Sequence, residues 1–151
     1  MRAIQVSAIR EAFEECGILL AYEKGTDHVV DPDKLKSLDP CRTQLNDGSL
    51  PLLTFLEREG LELACDQLIH FAHWITPPMM PKRFDTHFYL AKAPADQLAV
   101  HDGYESVDSI WITPADAMAD AEAGKRTVIF PTLRNIEKLG IANSVDDAIS
   151  R

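Results

Sequence analysis

The chain has 151 residues, 46% of them hydrophobic and 26% charged, and a formal net charge of −9. That length suits a single domain burying roughly 68–70% of its unfolded surface, and the acidic balance argues against nucleic acid, whose backbone needs a basic stripe. No apolar run approaches the ~18–20 residues of a membrane span, Met1-Arg2 opens no signal peptide, and three cysteines without a CxxC pair fit a reduced, cytoplasmic compartment with no membrane partner.

In chain order, the first helix is predicted from about Ala3 to Cys16, with Gly17 as the residue that closes it. Residues 24–49 are polar and rich in turn signals: Gly25, Asp31-Pro32, Asp39-Pro40 and Asn46-Asp47-Gly48. Asp31 and Pro32 form an N-cap and first-turn pair for a short helix over Lys34–Leu38. A further helix runs from Pro51 to Glu59, with Leu52, Leu53 and Leu56 inward and Gly60 as its stop. Residues of about 22–66 thus read as a small helical and loop insertion within one domain spanning 1–151.

From Leu68 the apolar period changes to two. Leu68 to Thr76 and Arg83 to Ala91 read as strands joined by a proline-rich loop, Pro77 to Pro81. In the second strand Phe84, Thr86, Phe88 and Leu90 share one face, and Arg83, Asp85, His87 and Tyr89 the other. His70 and His73 offer an H-x-x-H spacing, but regular strand alternation sends them to opposite faces, which argues against a zinc site. A third strand is expected over about Ser106 to Ile112, with Trp74 and Trp111 assigned to the core. Thr113-Pro114-Ala115-Asp116 then supplies a cap, a proline and an acid in register for a helix ending near Gly124. Another helix runs from Pro131 to Gly140, and Ser144 to Ile149 adds a terminal turn.

The chemistry concentrates in the first helix, in Arg10-Glu11-Ala12-Phe13-Glu14-Glu15-Cys16-Gly17-Ile18. At about 100° per residue, Glu11, Glu14 and Glu15 fall within an arc of roughly 100°, while Ile9, Phe13, Cys16 and Leu20 cluster opposite, on the core side. Like charges at i,i+4, as in Glu11 and Glu15, cost a few tenths of a kcal/mol on a helix. A divalent cation between them would offset that cost, and oxygen donors in this number suit Mg²⁺ or Mn²⁺. A solvated acidic face is the plain alternative, but these five fixed residues should co-occur by chance only about once in 10⁴ chains of this length.

Arg10, Glu11, Glu14, Glu15 and Gly17, with apolar Ala12 and Ile18, resemble the second half of the Nudix box, G-x5-E-x7-R-E-U-x-E-E-x-G-U. Downstream, His73-Trp74-Ile75-Thr76-Pro77, Arg83-Phe84-Asp85-Thr86, and Glu105 ahead of Trp111-Ile112-Thr113-Pro114 resemble the branch containing the coenzyme A diphosphatases. The resemblance implies an α/β fold in which a mixed sheet lies between helices and the box helix packs on it by its apolar face. It implies a Mg²⁺- or Mn²⁺-dependent hydrolase of a small-molecule diphosphate, nucleotide-linked or coenzyme A-like. Glu11, Glu14 and Glu15 would be the metal ligands, Arg10 would orient them, and Gly17 would be structural. Either Glu11 or Glu105 would serve as the base. Arg83 would meet a substrate phosphate, with a solvent-facing ladder as its alternative, and Tyr89 or Phe84 would contact a base or pantetheine.

The box's first glutamate would fall at Arg2 and its glycine before Met1. The expectation is therefore an N-terminally shortened fold without the family's opening strands and glycine loop, either because translation starts upstream of Met1 or because the chain is a shortened natural or recombinant product. Exposed sheet edges would then favour a homodimer. A catalytically silent Nudix-like binding or assembly module is the competing function.

Overall fold

Apolar residues at helical spacing make a 15-residue helix of Arg2–Cys16 (α1), whose buried positions include Ile9 and Phe13. The structure, a computed structural model, describes residues 2–94, 97, 101, 103 and 108–151. They form two units, Met1–Leu68 with Lys92–Ser109, and Ile69–Ala91 with Ile110–Arg151.

In the first unit α1 stops where expected. Gly17 adopts φ +71°, a left-handed conformation that costs glycine little, and its amide donates to the Phe13 carbonyl at 3.0 Å. The buried run Leu19 to Ala21 leads into β1 (Ala21–Glu23), which pairs antiparallel with β2 (Leu61–Leu63), Tyr22 opposite Glu62. Neither strand was expected from the sequence, since three residues are too few to display a period of two. Between them lie α2 (Pro32–Asn46) and α3 (Leu52–Glu59), and a 3₁₀ turn at Cys65–Gln67 follows.

Two expectations for this region need correction. The short helix predicted over Lys34–Leu38 is a 15-residue helix running straight past Pro40. A proline inside a helix costs about 3 kcal/mol. The buried stripe Leu38, Cys41, Arg42 and Leu45 offsets it, because stopping at residue 38 would leave the last three without a partner surface. The Asp31 cap and Pro32 start are as expected, with the Lys34 amide donating to the Asp31 carboxylate at 2.8 Å. In α3 the inward anchor is Phe55, fully buried and stacked on Phe13 with ring centroids 5.8 Å apart, whereas Leu53 is 67% exposed. An aromatic pair gains more from contact than a leucine at the neighbouring helical position.

The second unit is built on a hairpin of β3 (Ile69–Ile75) and β4 (Asp85–Leu90), followed by α4 (Pro114–Glu122), α5 (Phe130–Leu139) and α6 (Val145–Ser150). The strands pair antiparallel with His70 opposite Tyr89, then Ala72 opposite Phe88 and His73 opposite His87. Phe71 is thus an extra residue on β3, a β-bulge. The Lys138 ammonium ties α5 to it, donating to the Phe71 carbonyl at 2.8 Å while lying 4.3 Å from the ring centre. Trp74 packs edge-on to Phe130 at 5.8 Å and donates its indole N–H to buried Asn135 at 3.0 Å.

The third strand is not seen where the structure describes it. Residues 106–107 lie outside the described residues, and 108–112 carry no strand assignment. Ile110 and Trp111 are 53% and 68% exposed, so Trp111 is not the core residue expected of it. Periodicity marks a segment able to form a strand, but a strand needs a ladder partner, and none among the described residues stands beside this one. Thr113 caps α4 as predicted, accepting from the Asp116 amide at 3.1 Å. Among the described residues no helix is long and apolar enough to cross a membrane.

Candidate functional site

Glu11, Glu14 and Glu15 lie in the last two turns of α1 and differ sharply in setting. Glu11 is exposed and accepts from the Ser7 hydroxyl at 3.3 Å, while Glu15 is half-buried. Glu14 is only 7% exposed. A carboxylate so removed from water needs compensating charge. Arg10 supplies some of it one turn earlier, its Nε 3.3 Å from the Glu14 carboxylate and its Nη2 4.0 Å from that of Glu11. The guanidinium therefore bridges two of the box carboxylates, a geometry that suits the orienting role the resemblance implies for Arg10.

The helix end that carries these residues is held by a side chain that sequence reasoning missed. Arg42 of α2 is buried, and its Nε and Nη2 donate to the Glu14 and Glu15 carbonyls at 3.2 and 3.1 Å. Its Nη1 reaches the Asp39 carboxylate at 3.0 Å. A cation on two carbonyls at a helix C-terminus meets both their unfilled hydrogen-bonding capacity and the negative end of the helix dipole. The signal was present in the sequence: at helical spacing Arg42 shares a stripe with Leu38, Cys41 and Leu45. Asp39-Pro40, taken as a helix stop, hid it.

Beyond Gly17, buried Gln97 clamps the chain on its way to β1. It accepts from the Leu19 amide at 3.0 Å and donates to the Leu19 carbonyl at 3.2 Å. Glu105, the candidate fourth acid, lies outside the described residues.

Arg83 and Tyr89 belong to the second unit. Arg83 is exposed, precedes β4 rather than opening it, and donates from Nε to the Thr76 carbonyl at 3.0 Å. Tyr89 is half-buried, with its ring edge-on to His70 at 5.6 Å. The same strand face holds a second group missed by sequence reasoning. The bulge at Phe71 cancels one step of alternation, so His70 and His73 point to the same face rather than to opposite ones. His73 and His87 stack at 4.0 Å, and His70 Nε2 lies 3.0 Å from His87 Nδ1. The His87 imidazole is held below the usual histidine range by its half-buried position and by His73 and His70 beside it.

Comparison with known proteins identifies the family. The sequence model of the NUDT19 Nudix domain matches residues 2–139. The provisionally named nudix hydrolase 7 of Caenorhabditis elegans is 28% identical over 138 residues, 89% of this chain and 43% of that protein. The acyl-coenzyme A diphosphatase NUDT19 of Xenopus laevis is 26% identical over 149 residues, 91% of this chain and 39% of that protein. A crystal structure of a Nudix hydrolase from Alicyclobacillus acidocaldarius superposes with a TM-score of 0.80 at 26% identity, covering 99% of this chain and 66% of that one. The chain belongs to the Nudix hydrolase family, and it spans about two-fifths of the length of the curated relatives it matches. Its short antiparallel strand pairs flanked by helices are those of a Nudix structure.

Proposed function

We propose that this chain hydrolyses a pyrophosphate bond in a nucleotide-linked or coenzyme A-like substrate, with Mg²⁺ or Mn²⁺ held by Glu11, Glu14 and Glu15. The observation that carries the reading is the box helix itself: a buried carboxylate, Glu14, braced by Arg10 between two further glutamates. An all-carboxylate donor set fits a hard divalent cation, which when bound neutralises diphosphate charge and makes a water more acidic. The acyl-coenzyme A diphosphatase relative supports coenzyme A-like substrates.

In this reading the whole chain acts as one Nudix-like domain, residues 22–66 being an insertion. Arg10 fixes the Glu14 carboxylate, and Arg42 fixes the helix end on which Glu14 and Glu15 sit. Glu11 or Glu105 accepts the proton of the attacking water. Arg83 binds a substrate phosphate and Tyr89 contacts the base or pantetheine. With a chain charge of −9, a local cation for an anionic substrate is needed.

Phosphate-ester products from coenzyme A, acyl-coenzyme A and ADP-ribose, measured with Mg²⁺, with Mn²⁺ and with a chelator, test the proposal. Metal-dependent cleavage of at least one is expected. No cleavage of any would leave a Nudix-like binding module instead. Arg83→Ala should lower kcat/KM by about ten- to a hundredfold, as for a lost charged hydrogen bond of roughly 1.5–3 kcal/mol. An unchanged kcat/KM with an unchanged thermal melt would mark Arg83 as a brace for the hairpin loop.

A further inference from the structure

We propose that His73, Asp85 and His87 form a binding site for a transition-metal ion of the zinc class, with His70 as its positioning residue. The donor set is two imidazoles and one carboxylate. That combination suits Zn²⁺, Co²⁺ or Ni²⁺, and differs in kind from the all-oxygen set of the box helix.

The three ligand atoms already lie within 4.8 Å of one another. His73 Nε2 is 2.5 Å from Asp85 Oδ1, and His87 Nε2 is 4.0 Å from the same oxygen. A tetrahedral ion with bonds of about 2.0–2.1 Å wants its ligands roughly 3.3 Å apart. One distance must open and another close, each by less than about 1 Å. The Asp85 side chain, 66% exposed, is free to make its part of that adjustment. The His73 and His87 rings, stacked at 4.0 Å, must turn out of parallel so that both in-plane lone pairs converge on the ion.

Three features of the hairpin prepare the site. The Phe71 bulge brings His70 and His73 to one face, and the register sets His73 directly opposite His87. His70 Nε2 stands 3.0 Å from His87 Nδ1. When His87 Nδ1 carries the proton and donates it to His70, the lone pair of His87 sits on Nε2, toward Asp85. Three ligands leave a fourth position for water, so the ion would be exchangeable.

The test is titration of the chain with Co²⁺, then displacement by Zn²⁺, in excess Mg²⁺ so that the box glutamates compete for the hard ion. One Co²⁺ per chain is expected, with the visible absorption of a low-symmetry nitrogen and oxygen site. His73→Asn and Asp85→Asn should weaken binding by at least about a hundredfold, and His70→Asn by about ten- to a hundredfold, the range for a group that orients a ligand. His28→Asn and Glu14→Gln/Glu15→Gln should leave it unchanged. Equal affinity in the wild type and His73→Asn, or loss in Glu14→Gln/Glu15→Gln alone, would overturn the proposal. Should a hairpin variant fail to fold, imidazole proton shifts in the wild-type chain decide. Shifts of His73 and His87 on adding Zn²⁺ support the site, and their absence refutes it.

Discussion

A Glu14→Gln/Glu15→Gln variant should lose Mg²⁺ or Mn²⁺ binding at the box helix and fall in kcat/KM by about a hundred- to ten-thousandfold, the range for removing positioned catalytic groups. Glutamine preserves shape and an accepting oxygen, so the change is one of charge. Glu14 is the more informative of the two. Its carboxylate is nearly buried with the Arg10 guanidinium 3.3 Å away. Neutralising it leaves Arg10 with Glu11, 4.0 Å distant and exposed, as the remaining box carboxylate within reach. Titration calorimetry with each ion, beside steady-state kinetics and a thermal melt, makes the measurement. Equal metal affinity in the two proteins would remove the box glutamates from the site, and lost activity with intact metal binding would shift their role to proton transfer.

What could be read from the sequence was what local rules decide. The end of α1 at Gly17, the Asp31 cap, the Gly60 stop and the Thr113-Pro114 start each depend on a few adjacent residues, and each stands as expected. The helical spacing of Arg10, Glu11, Glu14 and Glu15 likewise brought the box into view, together with the family it marks. What escaped depended on residues far apart in the chain. Pro40 lies inside α2 because a buried stripe outweighs its local cost. Phe55 displaces Leu53 as the anchor of α3 because Phe13, more than forty positions away, stacks on it. The three-residue strands β1 and β2 exist only as each other's partner.

The strand faces show the same limit most sharply. Alternation correctly put Asp85, His87 and Tyr89 together, but assigned His70 and His73 to opposite sides. A single unpaired residue, Phe71, reverses that result. Nothing in the local sequence marks it as a bulge. Its carbonyl is bonded by Lys138, 67 positions away. A one-residue error in register exchanges every side chain between faces, and here it would conceal a group of three histidines.

Arg42→Ala should destabilise the first unit by about 2–4 kcal/mol. The guanidinium makes hydrogen bonds to the Glu14 and Glu15 carbonyls and to Asp39, all at 3.0–3.2 Å, from a buried position. Charged hydrogen bonds of this kind contribute roughly 1.5–3 kcal/mol, and the loss would leave carbonyls at the end of α1 without their donor. The buried aliphatic stem adds a packing loss. At roughly 2–4 °C per kcal/mol for a chain of this size, the melt should fall by about 4–16 °C. Arg42→Lys should recover little, since one ammonium cannot span two carbonyls and a carboxylate as the planar fork does. Lys125→Ala is the matched control: its ion pair with Asp120 is 3.0 Å long but its side chain is 70% exposed, so the change should stay within about 0.5 kcal/mol. Metal affinity adds a second readout. If Arg42 positions the box glutamates through their backbone, Arg42→Ala should weaken Mg²⁺ or Mn²⁺ binding well below its own melting range, while Lys125→Ala leaves it intact. A melt within about 0.5 kcal/mol of wild type would show that α1 holds its end without the arginine.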